Sequence, residues 1–172
     1  MNDTLELMKT RRSVRKFKSE PVPKELIDKI AEAGTYAASG RNRQTPIVIV
    51  VTDKDVLEGL RKTNAEIMGV NMDPFYGAPA VLVVVASKEY ATYTYDGSLV
   101  MGNLMLAAHS LGVSSCWIHR AKETFEREEW KQWLVSLGLE GEYEGIASCA
   151  IGYAEGEYPA VIPRKDGRII YV

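Results

Sequence analysis

The chain has 172 residues and a mass of 19.1 kDa, with 46% apolar residues, 26% charged residues and a formal net charge of −2. That length suits one domain, residues 1–172, which buries roughly 70% of its unfolded surface, and the apolar fraction excludes low-complexity disorder. The longest apolar runs, Ile47–Val51 and Ala78–Ala86, fall well short of the roughly 20 residues of a membrane-spanning helix, and near-zero net charge argues against a general nucleic-acid binder.

Met1-Asn2-Asp3-Thr4 shows no basic segment followed by an apolar one, and Cys116 and Cys149 suit a reduced environment, so a cytoplasmic protein is expected. The charge is unevenly placed. Residues 9–18 read Lys-Thr-Arg-Arg-Ser-Val-Arg-Lys-Phe-Lys, whereas 123–144 is rich in acidic side chains. Such a basic island is either a solvated face or a local anion site.

In chain order, Thr4–Arg11 reads as a short helix with Leu5 and Met8 on one face. Pro23 suits a first turn, Glu25 and Asp28 suit the positive end of a helix, and Leu26, Ile27, Ile30, Ala31, Gly34, Ala37 and Ala38 recur at helical spacing, which predicts a helix over 24–38. Ser39-Gly40-Arg41-Asn42 breaks it. Ile47–Val51 is a continuous β-branched run, as in a strand covered on both faces. Asp53 or Asp55 caps a helix reaching about Met68, residues 69–79 form a loop, and Ala80–Ala86 is a second buried strand.

Asp96–Leu111 is apolar nearly all round and stops at Gly112, so it is expected at the centre of the fold or at a subunit interface. Val113–Ile118 reads as a third strand, Phe125–Leu137 as an acidic amphipathic helix, and Gly145–Tyr153 as a fourth strand. The tail is irregular until 168–172, which is β-like. Strands alternating with helices give an α+β fold in α/β-type layers.

Several chemistries have no motif here. No zinc-protease pair, Cys-x-x-Cys, nucleophile elbow, phosphate loop or Gly-x-Gly-x-x-Gly fingerprint can be written, and no metal site is expected. A nucleotide phosphate would have to be held by side-chain cations, for which Arg11, Arg12, Arg15, Arg164, Lys165 and Arg168 are available. His109 reads as a partnered core histidine, Cys149 as a small buried hydrophobe, Trp130 and Trp133 as core, and Tyr93 and Tyr95 as either exposed or pocket-lining.

Three segments taken together resemble the nitroreductase family of FMN-dependent oxidoreductases: Arg11-Arg12-Ser13-Val14-Arg15-Lys16-Phe17, Ala38-Ser39-Gly40-Arg41-Asn42-Arg43-Gln44, and Asp96-Gly97-Ser98-Leu99 through Ser114-Ser115-Cys116-Trp117-Ile118. Phe75–Pro79 and Arg164–Tyr171 add to the match, which runs in order along nearly the whole chain. Ala38, Thr45 and Pro46 depart from the family's loop pattern, which begins with Pro and ends with Pro-Trp or Pro-aromatic.

The resemblance implies a nitroreductase-like fold, with a central, mostly antiparallel sheet flanked by helices and a domain-swapped C-terminal tail in a homodimer. It implies FMN as cofactor and NAD(P)H as reductant, with ping-pong transfer to a nitroaromatic, quinone or flavin. By resemblance, Arg11, Arg12 and Ser13 contact the FMN phosphate and ribityl chain, and Arg15 lies beside the pyrimidine end of the ring. Ser39, Gly40, Asn42 and Gln44 belong to a loop that reaches the flavin of the other subunit. Ile118, His119 and Arg120 lie against the ring, with His119 acting through its amide or its side chain, and Lys165 and Arg168 close the phosphate clamp. No side chain is an obligatory acid or base; His119 is the one catalytic candidate. An FMN-binding sensor without NAD(P)H turnover and a cofactor-free interaction protein are the rival readings.

Overall fold

The computed structural model describes residues 3–172, with side chains from Thr4 onward. Its centre is Ala80–Ser87 (β2), whose valine-rich run is buried on both faces because helices cover the sheet on either side, while a strand pairs with each of its edges. Ile47–Val51 (β1) pairs with one edge and Tyr143–Gly152 (β4) with the other, and Ser114–Ile118 (β3) pairs with β4. All three pairings are antiparallel, giving one four-stranded sheet of order β1-β2-β4-β3.

Period-2 alternation sorts β2 between two cores. Val81, Val83 and Val85 face Lys54–Met68 (α3), Ala121–Phe125 (α5) and Glu128–Ser136 (α6); Leu82, Val84 and Ala86 face Lys24–Thr35 (α2) and Tyr93–Ser110 (α4). Asp3–Thr10 (α1) packs against α4. Gly34 and Gly97 permit the close approach: a Cβ on Gly34 would stand 2.5 Å from Leu104 Cδ2, and one on Gly97 2.5 Å from Ile146 Cγ1.

Several predicted boundaries move. The helix expected over 24–38 ends at Thr35, because the chain leaves it to bring Gly40 to a buried carboxylate on α4. Asp53, not Asp55, caps α3: its Oδ1 accepts from Asp55 N–H and Val56 N–H, both at 3.0 Å, and Gly69 (φ 65°) ends the helix. α4 starts at Tyr93, which places Asp96 inside its first turn. The helix predicted over Phe125–Leu137 begins only at Glu128 (α6), after Arg127 in an extended conformation, and a separate short helix, α5, precedes it and ends at Phe125. β1 lies at the margin of the sheet and is only partly covered, with Val50 exposed, so burial on both faces does not hold for it within one chain. The tail at 168–172 forms no strand and is exposed.

Candidate functional site

The basic island is built into the sheet. Ser13 forms a parallel bridge with Ser115, and Val14 N–H donates to the Ser115 carbonyl at 3.0 Å, covering the outer edge of β3. Phe17 N–H then donates to the Tyr76 carbonyl (3.1 Å), Lys18 N–H to Tyr153 (2.9 Å), and Glu155 N–H to Lys16 (3.0 Å). Val14 and Phe17 are buried in the core on the α3 side. The backbone of 13–18 is therefore fixed from both directions, and the cations are carried on a rigid segment.

Three polar atoms at this corner are buried without a hydrogen-bond partner: Arg11 Nη1, Arg12 Nη2 and Ser115 Oγ. Buried donors are nearly always paired in folded proteins, and two unpaired guanidinium nitrogens on adjacent residues, beside a free hydroxyl, suit an anion. The other donors of Arg12 have backbone acceptors, the carbonyls of Lys9 (2.8 Å), Arg11 and Ala160 (3.2 Å). Arg15 is exposed. Burial pushes the Cys116 thiol up, and the charges of Arg15 and Arg11 and a hydrogen bond with Ser13 only partly offset this. Cys149, fully buried, is pushed up to about 12. Both sulfurs stay protonated and unsuited to nucleophilic work.

β3 delivers Ile118, buried, and then His119 and Arg120, both exposed. Arg120 takes a left-handed backbone (φ 74°) and turns the chain into α5, where its guanidinium meets Glu123 Oε1 at 2.7 Å. Burial pushes the Glu123 carboxyl up, but the backbone N–H it accepts from, Arg120 and His119 outweigh that and hold it below the usual carboxylate range. The His119 side chain makes no hydrogen bond among the described residues.

The loop 39–44 hangs from Asp96, which is buried. Asp96 Oδ1 accepts from Gly40 N–H at 3.0 Å and its Oδ2 from Thr92 Oγ1–H at 2.9 Å. A Cβ on Gly40 would sit 2.4 Å from Thr92 Oγ1, so the position admits only glycine without movement. Ser39 Oγ accepts from Gln44 N–H, and Gln44 Nε2 donates to Asn42 Oδ1, each at 3.0 Å. The Arg43 guanidinium lies 4.0 Å above the Tyr90 ring. A cavity of about 520 Å³ borders the loop, lined by Tyr36, Ser39, Asn42, Gln44, Pro46 and Val100.

Within one chain these groups do not all converge. Arg11, Arg12, Ser13 and Arg15 share one corner with Ser115, and Ile118, His119 and Arg120 end the same strand. The loop is tied to Asp96 at the start of α4, whereas the basic corner is tied to His109 near its end, through Thr10. Those anchors are thirteen residues apart, about 20 Å along a helix. Lys165 and Arg168 lie on the exposed tail and make no hydrogen bond or ion pair among the described residues. A larger cleft of about 980 Å³, between α2, α3 and the end of β1, gathers none of these side chains. Ser115, Asp96 and Tyr158 gained no role in the sequence reading. Serine inside an otherwise apolar strand was the available signal for Ser115; nothing local marks the other two.

A sheet between two helical layers, with buried unpaired guanidinium donors at one strand edge, defines an α+β protein with a candidate anion site. This chain belongs to the nitroreductase family, whose sequence profile matches residues 8–71 and 61–153. It is 31% identical over 163 residues to a protein of Archaeoglobus fulgidus, across 91% of this chain and 88% of that one, whose assigned name joins NADH dehydrogenase with NAD(P)H nitroreductase. A similarly named relative from Methanothermobacter thermautotrophicus is 34% identical over 124 residues, a span of 67% of this chain and 60% of its own length. In structure, the chain is similar to an FMN-bound nitroreductase from Bacteroides fragilis, with a TM-score of 0.90 at 28% identity over 100% of both chains. Among the described residues, no helix is long and apolar enough to cross a membrane.

Proposed function

We propose that this chain is an FMN-dependent oxidoreductase that takes hydride from NADH or NADPH and passes it to a small acceptor such as a nitroaromatic, a quinone or a flavin. The observation that carries this reading is the buried, unpartnered pair Arg11 Nη1 and Arg12 Nη2 beside Ser13 and Ser115, in a member of a family whose Bacteroides fragilis structure contains FMN. The residues fit the phosphate of such a group.

Bound there, FMN would supply the two-electron chemistry, which leaves the protein to provide position and charge. Arg11 and Ser13 hold the phosphate and ribityl end, with Arg12 and Ser115 Oγ able to donate to the same anion. Arg15 would place a positive charge beside the pyrimidine end of the ring. Ile118, His119 and Arg120 border the ring, with His119 acting through its backbone amide. NAD(P)H and the acceptor occupy the open side of the site in turn, a ping-pong order. No side chain is assigned as acid or base.

Two further features favour a homodimer. The loop carrying Ser39, Gly40, Asn42 and Gln44 and the basic corner are anchored to α4 thirteen residues apart, about 20 Å along the helix, which suits a loop that meets the flavin held at the other copy's corner. The tail is exposed through Ile162, Ile169, Ile170 and Tyr171, apolar groups that a monomer would leave in water. A swapped tail would bury them on the partner and bring Lys165 and Arg168 to its phosphate. Sedimentation should give twice the chain mass, and deletion of residues 161–172 should lower both dimer stability and flavin content.

The purified protein should be yellow, and the flavin released on denaturation should be FMN. Colourless protein that free FMN does not reconstitute would remove this reading.

A further inference from the structure

Arg12 is the member of the basic corner whose hydrogen bonds run to the C-terminal tail. Its N–H donates to Tyr158 Oη at 2.8 Å and its Nε–H to the Ala160 carbonyl at 3.2 Å. Tyr158 Oη lies 3.3 Å from His109 Nδ1, and the two rings are stacked, with centroids 5.8 Å apart and planes 15° from parallel. On its other side, His109 Nε2 is 3.0 Å from Thr10 Oγ1.

These contacts fix the direction of each proton. The Thr10 hydroxyl donates its single proton to the Glu6 carbonyl at 2.6 Å, so its oxygen accepts from His109 Nε2–H. A neutral imidazole with Nε2 protonated has Nδ1 as acceptor, and the Tyr158 hydroxyl donates to it. The Tyr158 oxygen in turn accepts from Arg12 N–H. One polarised chain thus links the backbone of the basic corner, the root of the tail, the end of α4 and the end of α1.

We propose that Tyr158 and His109 form a latch that fastens the root of the tail to the Arg11–Ser13 corner and holds that corner in place for a phosphate-bearing ligand. Both are positioning residues, and the identity of the ligand rests on the FMN reading above. With the ring neutral, Tyr158 donates to Nδ1; protonation reverses that bond, Nδ1–H donating to the Tyr158 oxygen while the exposed phenol turns its proton to solvent, so the contact persists in both states. The charged and titratable groups facing the ring are Arg11 and Arg12 from the segment after α1 and the Tyr158 phenol from the tail. Burial, then Arg11 and Arg12, hold His109 below its ordinary value of 6.5.

The test compares wild type with Tyr158→Phe, which keeps the stacked ring and removes only the hydroxyl. FMN release on dilution of the purified holoprotein is followed by flavin fluorescence at pH 8. Release from the variant should be about tenfold faster than from wild type. Equal release would overturn the latch.

Nitrogen NMR of His109 and exchange of the Arg12 amide give a readout independent of flavin. An Nε2-protonated neutral ring, and amide exchange at least tenfold faster in Tyr158→Phe, support the latch; an Nδ1-protonated neutral ring or unchanged exchange overturns it. Wild-type protein that holds no FMN at any pH would instead defeat the functional reading and leave the latch to this second readout.

Discussion

Residues 11–17 and residues 39–44 carry the two halves of the proposed cofactor site, and the fold holds them in opposite ways. The first segment is bonded to β3 and to the end of β4, with Val14 and Phe17 buried beneath it, so its cations stand on a fixed base. The second projects from one buried carboxylate, and three of its residues, Arg41 (φ 54°), Asn42 (φ 54°) and Gln44 (φ 55°), are in the left-handed region although none is glycine. Each such residue costs about 1–2 kcal/mol, a strain that persists only where surrounding bonds impose it. The difference separates two tasks. On the proposed reading, the preformed corner sets affinity for an anion, while the strained loop, held by Asp96 and by Arg43 over Tyr90, shapes what else enters the site.

Changes on the two sides should therefore give different signatures. The largest effect is expected at the corner. Arg11→Ala removes a charged hydrogen-bond partner worth about 1.5–3 kcal/mol, so FMN should be held roughly tenfold to a hundredfold more weakly with little change in melting temperature. Unchanged retention would mean that the phosphate lies elsewhere. On the loop side, Asp96→Ala leaves the Gly40 N–H and the Thr92 hydroxyl without their acceptor, a loss of about 1–3 kcal/mol that calorimetry should register as a melting point lower by a few degrees.

Gly40→Ala should be smaller, about 1–2 kcal/mol, and relieved by adding Thr92→Ala, because the clash is with the Thr92 side chain. A double variant no more stable than Gly40→Ala alone would show that the cost is not steric. The smallest effect is expected for acceptor choice. Arg41 is exposed and makes no ion pair among the described residues, whereas Arg43 is held over Tyr90. Arg41→Ala should raise KM for anionic acceptors about twofold to fivefold, with neutral acceptors unaffected and Arg43→Ala weaker, in keeping with the modest worth of exposed charges. Equal changes for neutral acceptors would remove Arg41 from this role.

The same contrast explains what the sequence revealed. The valines of β2, the glycine after α3 and the basic island announce themselves through local pattern, and the resemblance to the family's motifs leads to the expectation that the island and the loop serve one cofactor site. Pairing across long separations leaves no such mark. Tyr158 meets Arg12 across 146 positions, and Asp96 meets Gly40 across 56, with ordinary neighbours in each case. The short α5 leaves no periodic pattern in five residues, and Arg127 sits among charged residues that suit a helix as well as an extended link, so the start of α6 is not marked. β1 was read as covered on both faces because a run of five β-branched residues reports propensity, not position in the sheet.

The central claim is that the Arg11–Ser13 corner serves a flavin that accepts hydride. The direct measurement is the visible absorbance of the purified protein under anaerobic conditions as NADH or NADPH is added, followed by an acceptor such as a quinone. The yellow band should bleach with one equivalent of reductant per site and return when the acceptor is added. A yellow protein that neither nucleotide bleaches would contradict the oxidoreductase assignment and leave a flavin-binding protein without turnover.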